Sequence, residues 1–274
     1  MTTNTVAVCG AFDDLGPTNF RFFEEAAKLG YCVALLWSDD AIVKITGKPP
    51  KFPQEERLYL LESIRYIHKV IVCNDINPDA LPKTLVFKPD IWAVDEQNDS
   101  IAKETFCQAS NIKYQVLKND TLNRFPVYAP DLKKTVSSRK KVIVTGCYDW
   151  FHSGHVRFFE EASQYGDLYV SLGSDKTISA YKGQGHPMIP QDERAFICRS
   201  VRFVKQAFVA SGSGWLDAEP EMYQLKPDIY VVNEDGDRPE KREFCKTNGI
   251  EYVILKRLPK PGLPRRQSTT LRGF

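Results

Sequence analysis

No stretch of this 274-residue chain approaches the roughly 20 consecutive apolar residues that a membrane-spanning helix requires, so a soluble protein is expected. The opening MTTNTVAVCG has neither a basic start nor a signal-type apolar segment, and no export is expected from it. Cysteine pairing is missing as well. The seven cysteines are scattered, odd in number and without a CxxC pair, which argues against a disulfide framework. Several sit in β-branched runs such as VAVCG and VIVCN, where a thiol reads as a small buried hydrophobe, and the expected setting is a reducing cytoplasm. An excess of one charge is lacking too: 37 lysines and arginines against 35 acidic residues leave +2, which argues against binding duplex nucleic acid. The locally basic KRLPKPGLPRR near the C-terminus fits a small anionic ligand instead. Histidine is scarce, with four in all, and two of them stand three residues apart in GCYDWFHSGH at 146–155.

The length suits two domains of ordinary size, each able to bury a core. Comparison of the chain with itself divides it that way. FRFFEEAAKLGY at 20–31 returns as VRFFEEASQYGD at 156–167, and FPQEER at 52–57 as IPQDER at 189–194. FKPDIWAVDE at 87–96 returns as LKPDIYVVNE at 225–234, and FCQASNIKYQVLK at 106–118 as FCKTNGIEYVILK at 244–256. The order is kept while the offset drifts only from 136 to 138, which marks duplication of a whole domain and not a solenoid of short repeats. Within each copy, short β-branched runs alternate with amphipathic helical stretches, a pattern that predicts a parallel sheet covered on both faces. The expected fold class is α/β, two tandem Rossmann-like doubly wound domains. The polar, proline-bearing NDTLNRFPVYAPDLKKTVSSRK lies between them, giving domains at 1–120 and 141–274 and a linker at 121–140.

In such a sheet, ligands bind outside the carboxyl ends of the strands, where the first strand hands over to its helix. VIVTGCYDWFHSGHVRFFEEA puts His152 and His155 at that point. Gly146 allows a tight turn after the strand, and Gly154 lets a phosphate or a base approach the backbone. Two histidines three apart at a helix start can turn both imidazoles to one face, beside unsatisfied N–H groups and the positive end of the helix dipole. That arrangement suits polyphosphate. A zinc site is not expected, because no third ligand lies at suitable spacing. Trp150, Phe151, Phe158 and Phe159 read as core or pocket wall, and His186 as a loop residue.

TGCYDWFHSGH resembles the (T)xGxFDxxHxGH signature of the nucleotidyltransferase superfamily. The nearest branch is the cytidylyltransferase-like one, with the glycerol-3-phosphate and ethanolamine-phosphate cytidylyltransferases and the heptose-phosphate adenylyltransferases. Ser268, Thr269 and Thr270 resemble its second signature, STT at a helix start. GSDKTISAYKG resembles its strand-end Ser-Asp, here Ser174 and Asp175, followed by a lysine, here Lys182. PQDERAFICRSVRFV resembles its ExRxxxxxxxRYVD segment, which brings in Arg194 and Arg202. The resemblance spans residues 141–274. It implies that an oxygen of a small phosphorylated acceptor attacks the α-phosphorus of a nucleoside triphosphate, CTP in the first instance. Pyrophosphate then leaves with a magnesium ion held mainly by the triphosphate, and no protein nucleophile takes part. On this pattern His152, His155, Lys182 and Arg194 are catalytic. Thr145, Gly146, Cys147, Tyr148, Asp149, Gly154, Ser174, Asp175, Arg202, Asn233, Glu234, Asp235, Ser268, Thr269 and Thr270 would hold nucleotide or phosphate. A homodimer is implied by the resemblance, and neither nucleic acid nor membrane is expected as a partner.

Two of these assignments have a structural reading beside the functional one. Ser and Thr are ordinary helix caps, and Arg194 has a counterpart, Arg57, in the first copy, which fits an ion pair required by the fold. The chain departs from the family pattern at RFVK, with Lys205 where aspartate is usual, and at NEDG in place of G(D/E)DW. In the first copy GAFDDLGPTN has Gly16, Pro17, Thr18 and Asn19 where the second has His152 to His155, and no STT follows KYQVLKND. That copy is expected to be non-catalytic, with packing, a dimer surface or regulatory nucleotide binding as open roles. An adenylyltransferase is the alternative within the enzyme class. A nucleotide-binding regulatory protein without turnover is the alternative outside it.

Overall fold

The computed structural model describes residues 4–128, 130–134 and 138–271, the side chains of Thr269 and Thr270 excepted. The chain divides into two compact units, Met1–Phe125 and Pro126–Phe274. The first runs through β1 (Thr5–Gly10), α1 (Pro17–Ala27), β2 (Tyr31–Trp37), α2 (Asp39–Thr46), α3 (Gln54–Ser63) and β3 (Lys69–Cys73). It continues with β4 (Ile91–Asp95), α4 (Ile101–Ala109), β5 (Lys113–Leu117) and α5 (Asn119–Leu122). The second begins with a 3-10 turn, Leu132–Lys134, followed by β6 (Lys141–Gly146), α6 (Ser153–Ala162), β7 (Asp167–Leu172), α7 (Asp175–Lys182), α8 (Gln191–Ser200) and β8 (Val204–Val209). It ends with α9 (Glu219–Leu225), β9 (Ile229–Asn233), α10 (Pro239–Thr247), β10 (Glu251–Leu255) and α11 (Ser268–Leu271).

Each unit has one five-stranded parallel sheet among its described residues, ordered β3-β2-β1-β4-β5 in the first and β8-β7-β6-β9-β10 in the second. The two sheets share a register: Val6 and Ala7 face Ile91 and Trp92 just as Val142 and Ile143 face Ile229 and Tyr230. This is the doubly wound architecture expected from the strand–helix alternation. It reverses direction between β6 and β9, and that reversal opens a crevice at their carboxyl ends.

The β-branched run of β6 explains why it lies at the sheet centre. Alternate side chains point to opposite faces, and both faces are covered. Val142 and Val144 pack with Phe159 and Ala162 of α6 and with Ala195 and Cys198 of α8. Ile143 packs on the other side with Tyr230, with Met222 and Leu225 of α9, and with Cys245 of α10. In α6, Val156, Phe159 and Ala162 recur at helical spacing and are fully buried, while Arg157 pairs with Glu160 and Glu161 on the outer face. The start of α6 is thereby fixed against the end of β6. Among the described residues no helix is long and apolar enough to cross a membrane.

Candidate functional site

β6 ends at Gly146, and the chain folds back at once. Tyr148 is left-handed (φ 51°) and brings its ring so close to Gly146 that a Cβ there would lie 2.7 Å from the ring carbon Cζ. Only glycine fits at 146. Asp149 fixes the turn from beneath: its Oδ1 accepts the backbone N–H of Met188 at 2.7 Å and of Ile189 at 3.0 Å. His152 then caps α6, its Nδ1 accepting the Gly154 N–H at 3.1 Å. A Cβ on Gly154 would sit 2.9 Å from the imidazole Cε1, so this glycine is what lets the ring lie over the helix start. His155 stacks on it with ring centroids 4.0 Å apart and planes 19° from parallel.

Both imidazoles are neutral. Burial pushes His152 down to about 3, helped by the Arg257 and Arg266 guanidinium groups. Burial holds His155 well below its usual range too, with His152, Arg257 and Lys182 adding to the effect. Because Nδ1 of His152 is an acceptor, its proton resides on Nε2. His152 Nε2 and His155 Nδ1 are buried without hydrogen-bond partners among the described residues. Buried polar atoms left this way are costly unless something else engages them, and these two are placed to engage a polar ligand.

The imidazoles form one wall of a cavity of about 300 Å³. Thr145, Gly146, Cys147, Tyr148, Asp149 and Gly154 also line it, as do Asn233 and Asp235 at the end of β9, Lys182 at the end of α7, and Ser268. Ser268 is brought there by the returning C-terminal segment, where its hydroxyl donates to the Trp150 carbonyl at 3.3 Å. The same cavity is lined by Lys241, Arg257 and Gln267, which sequence reasoning did not single out. Lys241 had a visible trace, since it recurs as Lys103 in the first copy at the 138-residue offset. Arg257 lay inside the basic C-terminal run, and in the fold it pairs with Asp235. A second cavity of about 270 Å³ meets the first along Thr145, Gly146 and Cys147, sharing Lys182 and Lys241. Tyr181, Trp215, Asp217 and Arg238 form its remaining charged and aromatic walls, with Thr177 beside them. Burial, and then the nearby Arg238, lower the Lys241 ammonium, which donates to the Gly236 carbonyl at 3.0 Å.

Other expected site residues stand elsewhere. Arg194, expected to be catalytic, is fully buried outside the cavity, with its guanidinium spent on the protein. Its Nε donates to the Ile189 carbonyl at 2.9 Å and its Nη1 to Cys147 at 2.6 Å. Its Nη2 donates to Gly173 at 3.0 Å and to Asp175 at 2.6 Å. Arg57 repeats this pattern in the first unit, with bonds to Phe52, Ala11 and Trp37 carbonyls and to Asp39. Since that unit has no histidine at the turn, the arginine braces the fold. Ser174 caps α7 through the Thr177 N–H, Asp175 is the partner of Arg194, and Arg202 and Glu234 are exposed and away from the cavity. The side chains of Thr269 and Thr270 lie outside the described residues; their backbone belongs to α11.

Among the described residues no group of three or more His, Cys, Asp or Glu is placed to hold a metal ion. Of the lining carboxylates, Asp149 serves backbone N–H groups and Asp235 serves Arg257.

Residues 143–257 match the model of the cytidylyltransferase-like family. The chain is 34% identical over 99 residues to the bifunctional protein HldE of Campylobacter concisus, a match covering 35% of this chain and 20% of that one. It is 32% identical over 128 residues to the FAD synthase of Pyrococcus horikoshii, covering 45% and 83% respectively. With the FAD synthase of Ferroglobus placidus it shares 30% identity over 120 residues, covering 43% and 75%. The chain thus spans about a fifth of the HldE protein and most of each FAD synthase.

Proposed function

This chain belongs to the cytidylyltransferase-like family, and from that premise we propose that its second unit is a nucleotidyltransferase. It moves a CMP group from CTP onto a small phosphorylated alcohol, sugar phosphate or phosphonate and releases pyrophosphate. The observation that carries this reading is the stacked pair of neutral imidazoles with unengaged nitrogens, on a cavity edged by Lys182, Lys241 and Arg257.

The triphosphate occupies the cavity at the start of α6. His152 donates from Nε2 to an α-phosphate oxygen, beside which the helix dipole and Arg257 add positive potential. The acceptor occupies the adjoining cavity, its phosphate between Lys182, Lys241 and Arg238, and its oxygen meets the α-phosphorus across the Thr145 to Cys147 strand end. Catalysis consists of holding the two groups in line and stabilising charge as it shifts toward the leaving pyrophosphate. Lys182, exposed at the end of a helix, closes over the phosphates. Cys147 is no nucleophile, since burial raises its thiol. A magnesium ion, when bound with the triphosphate, would supply charge neutralisation at the leaving group. With Asp149 engaged by backbone N–H groups and Asp235 by Arg257, it would be held by the phosphates themselves.

A second reading, adenylyl transfer from ATP, is favoured by the relatives named FAD synthase, since FAD contains an adenylyl half. A pyrophosphate-release screen of CTP, ATP, UTP and GTP against phosphorylated polyols, sugars, amino-alcohols and phosphonates decides between the two. His155→Ala is expected to lower the rate roughly a hundredfold or more. Full activity in that variant would remove the site assignment, and turnover with ATP alone would replace CTP.

A further inference from the structure

The first unit keeps a cavity at the place where the second has its cleft. It lies at the carboxyl ends of β1 and β4, measures about 320 Å³ against about 300 Å³, and is bounded by the start of α1. Its furnishing differs in one consistent direction. Gly16 and Asn19 stand for the two histidines, Thr46 for Lys182 and Asn119 for Arg257, while Lys103 keeps the place of Lys241. Asp95 replaces Asn233. Here Asp13 and Asp95 face one lysine, whereas Asp149 and Asp235 in the second unit's cleft face Lys182, Lys241 and Arg257. A polyphosphate would meet net negative charge. Aromatic surface has been added instead: Trp37 for Gly173 and Trp92 for Tyr230, beside Phe12 and Phe22.

Simple decay of a redundant site would let these larger side chains fill the space, yet the cavity is as large as its counterpart. Trp92 is 2% exposed, and its Nε1–H has no acceptor among the described residues, whereas the other indole, Trp37, donates to Cys9 Sγ at 3.1 Å. Asp95, at the end of β4, uses Oδ1 for both the backbone and side-chain N–H of Asn98 at 2.8 Å, which leaves Oδ2 for a ligand. A carboxylate at a strand end can accept ribose hydroxyls, as the acidic residue of dinucleotide-binding folds does from a different strand.

We propose that this cavity binds an uncharged nucleoside, its base against the Trp37, Trp92 and Phe22 rings and its ribose on Asp95, without chemical turnover. The site is separate from the nucleotidyl-transfer cleft and stands whether or not that reading holds.

Calorimetric titration of the full chain with cytidine, uridine, adenosine and guanosine tests it, alongside CTP and ATP, in the parent, His155→Ala, Asp95→Asn and Ala11→Leu. Ala11→Leu narrows the cavity without removing a side-chain hydrogen bond, and melting curves accompany each variant. The expected result is one nucleoside site per chain, unchanged in His155→Ala and weakened at least tenfold in Asp95→Asn or Ala11→Leu at unaltered melting temperature. The proposal is overturned if no nucleoside binds below about 1 mM, or if binding survives both first-unit variants. It is also overturned if a triphosphate enters this cavity, as judged by sensitivity to Ala11→Leu, as tightly as the nucleoside.

Discussion

A buried imidazole gains a proton readily only when an anion lies beside it, and His152 has two guanidinium groups nearby instead. In the unfolded chain it titrates near 6.5, and in the folded unit near 3. Between those values the unfolded state binds more protons, so stability is fully present above about 6.5 and is lost as pH falls toward 3. The melting temperature of the second unit is therefore expected to drop steadily from pH 7 to pH 4.5, and His152→Asn to flatten that slope. A slope unchanged by the substitution would mean that other groups govern the acid limb. Lys241 and Lys103 offer a matched pair at the same scale. Lys241→Gln should reduce kcat/KM for nucleotidyl transfer by on the order of tenfold or more, because it removes a partly desolvated cation from both cavities. Lys103→Gln should leave turnover as it was, and steady-state assays of the two variants make the comparison.

At the scale of elements, the turn between β6 and α6 depends on two different kinds of residue. Asp149 and Arg194 brace it to the segments flanking α7 and α8, and Asp13 and Arg57 do the same in the first unit, where Asp13 accepts the N–H groups of Lys51 and Phe52. Arg194→Ala and Arg57→Ala each leave a carboxylate and several carbonyls unanswered. Each should cost about 3 kcal/mol in urea unfolding of its own unit, a similar loss with and without histidines nearby. A loss confined to Arg194 would break the parallel. Gly154 instead makes room for the His152 ring, which occupies the space its Cβ would take. Gly154→Ala should displace the imidazole and lower kcat by roughly tenfold or more while melting changes little, helical alanine being favourable in itself. Normal turnover would show that the ring can move aside without consequence.

For the whole molecule, each unit closes its own sheet and core, so the fragment 126–274 is expected to fold alone and keep pyrophosphate release within a few-fold of the full chain. Loss of the fold in that fragment, read by circular dichroism, would make the first unit a structural requirement. The duplication was fully legible beforehand, because four long segments repeat in order and both copies alternate strand and helix. The histidine pair was legible for the same reason: the first copy keeps the turn and discards the imidazoles. Arg194 was half legible: its counterpart Arg57 fitted an ion pair of the fold, its context fitted a ligand-binding arginine equally well, and its four hydrogen bonds decide for the brace. Lys241 and Arg257 escaped notice because they approach the cavity from segments roughly 90 and 100 residues beyond the histidines. The sequence by itself determined the two doubly wound units and the position of the histidine-bearing turn, since periodicity and repetition are properties of neighbouring residues. Which cations gather around that turn, and which arginine is consumed beneath it, was decided only by the tertiary structure, because charge and burial depend on what the folded chain brings together in space.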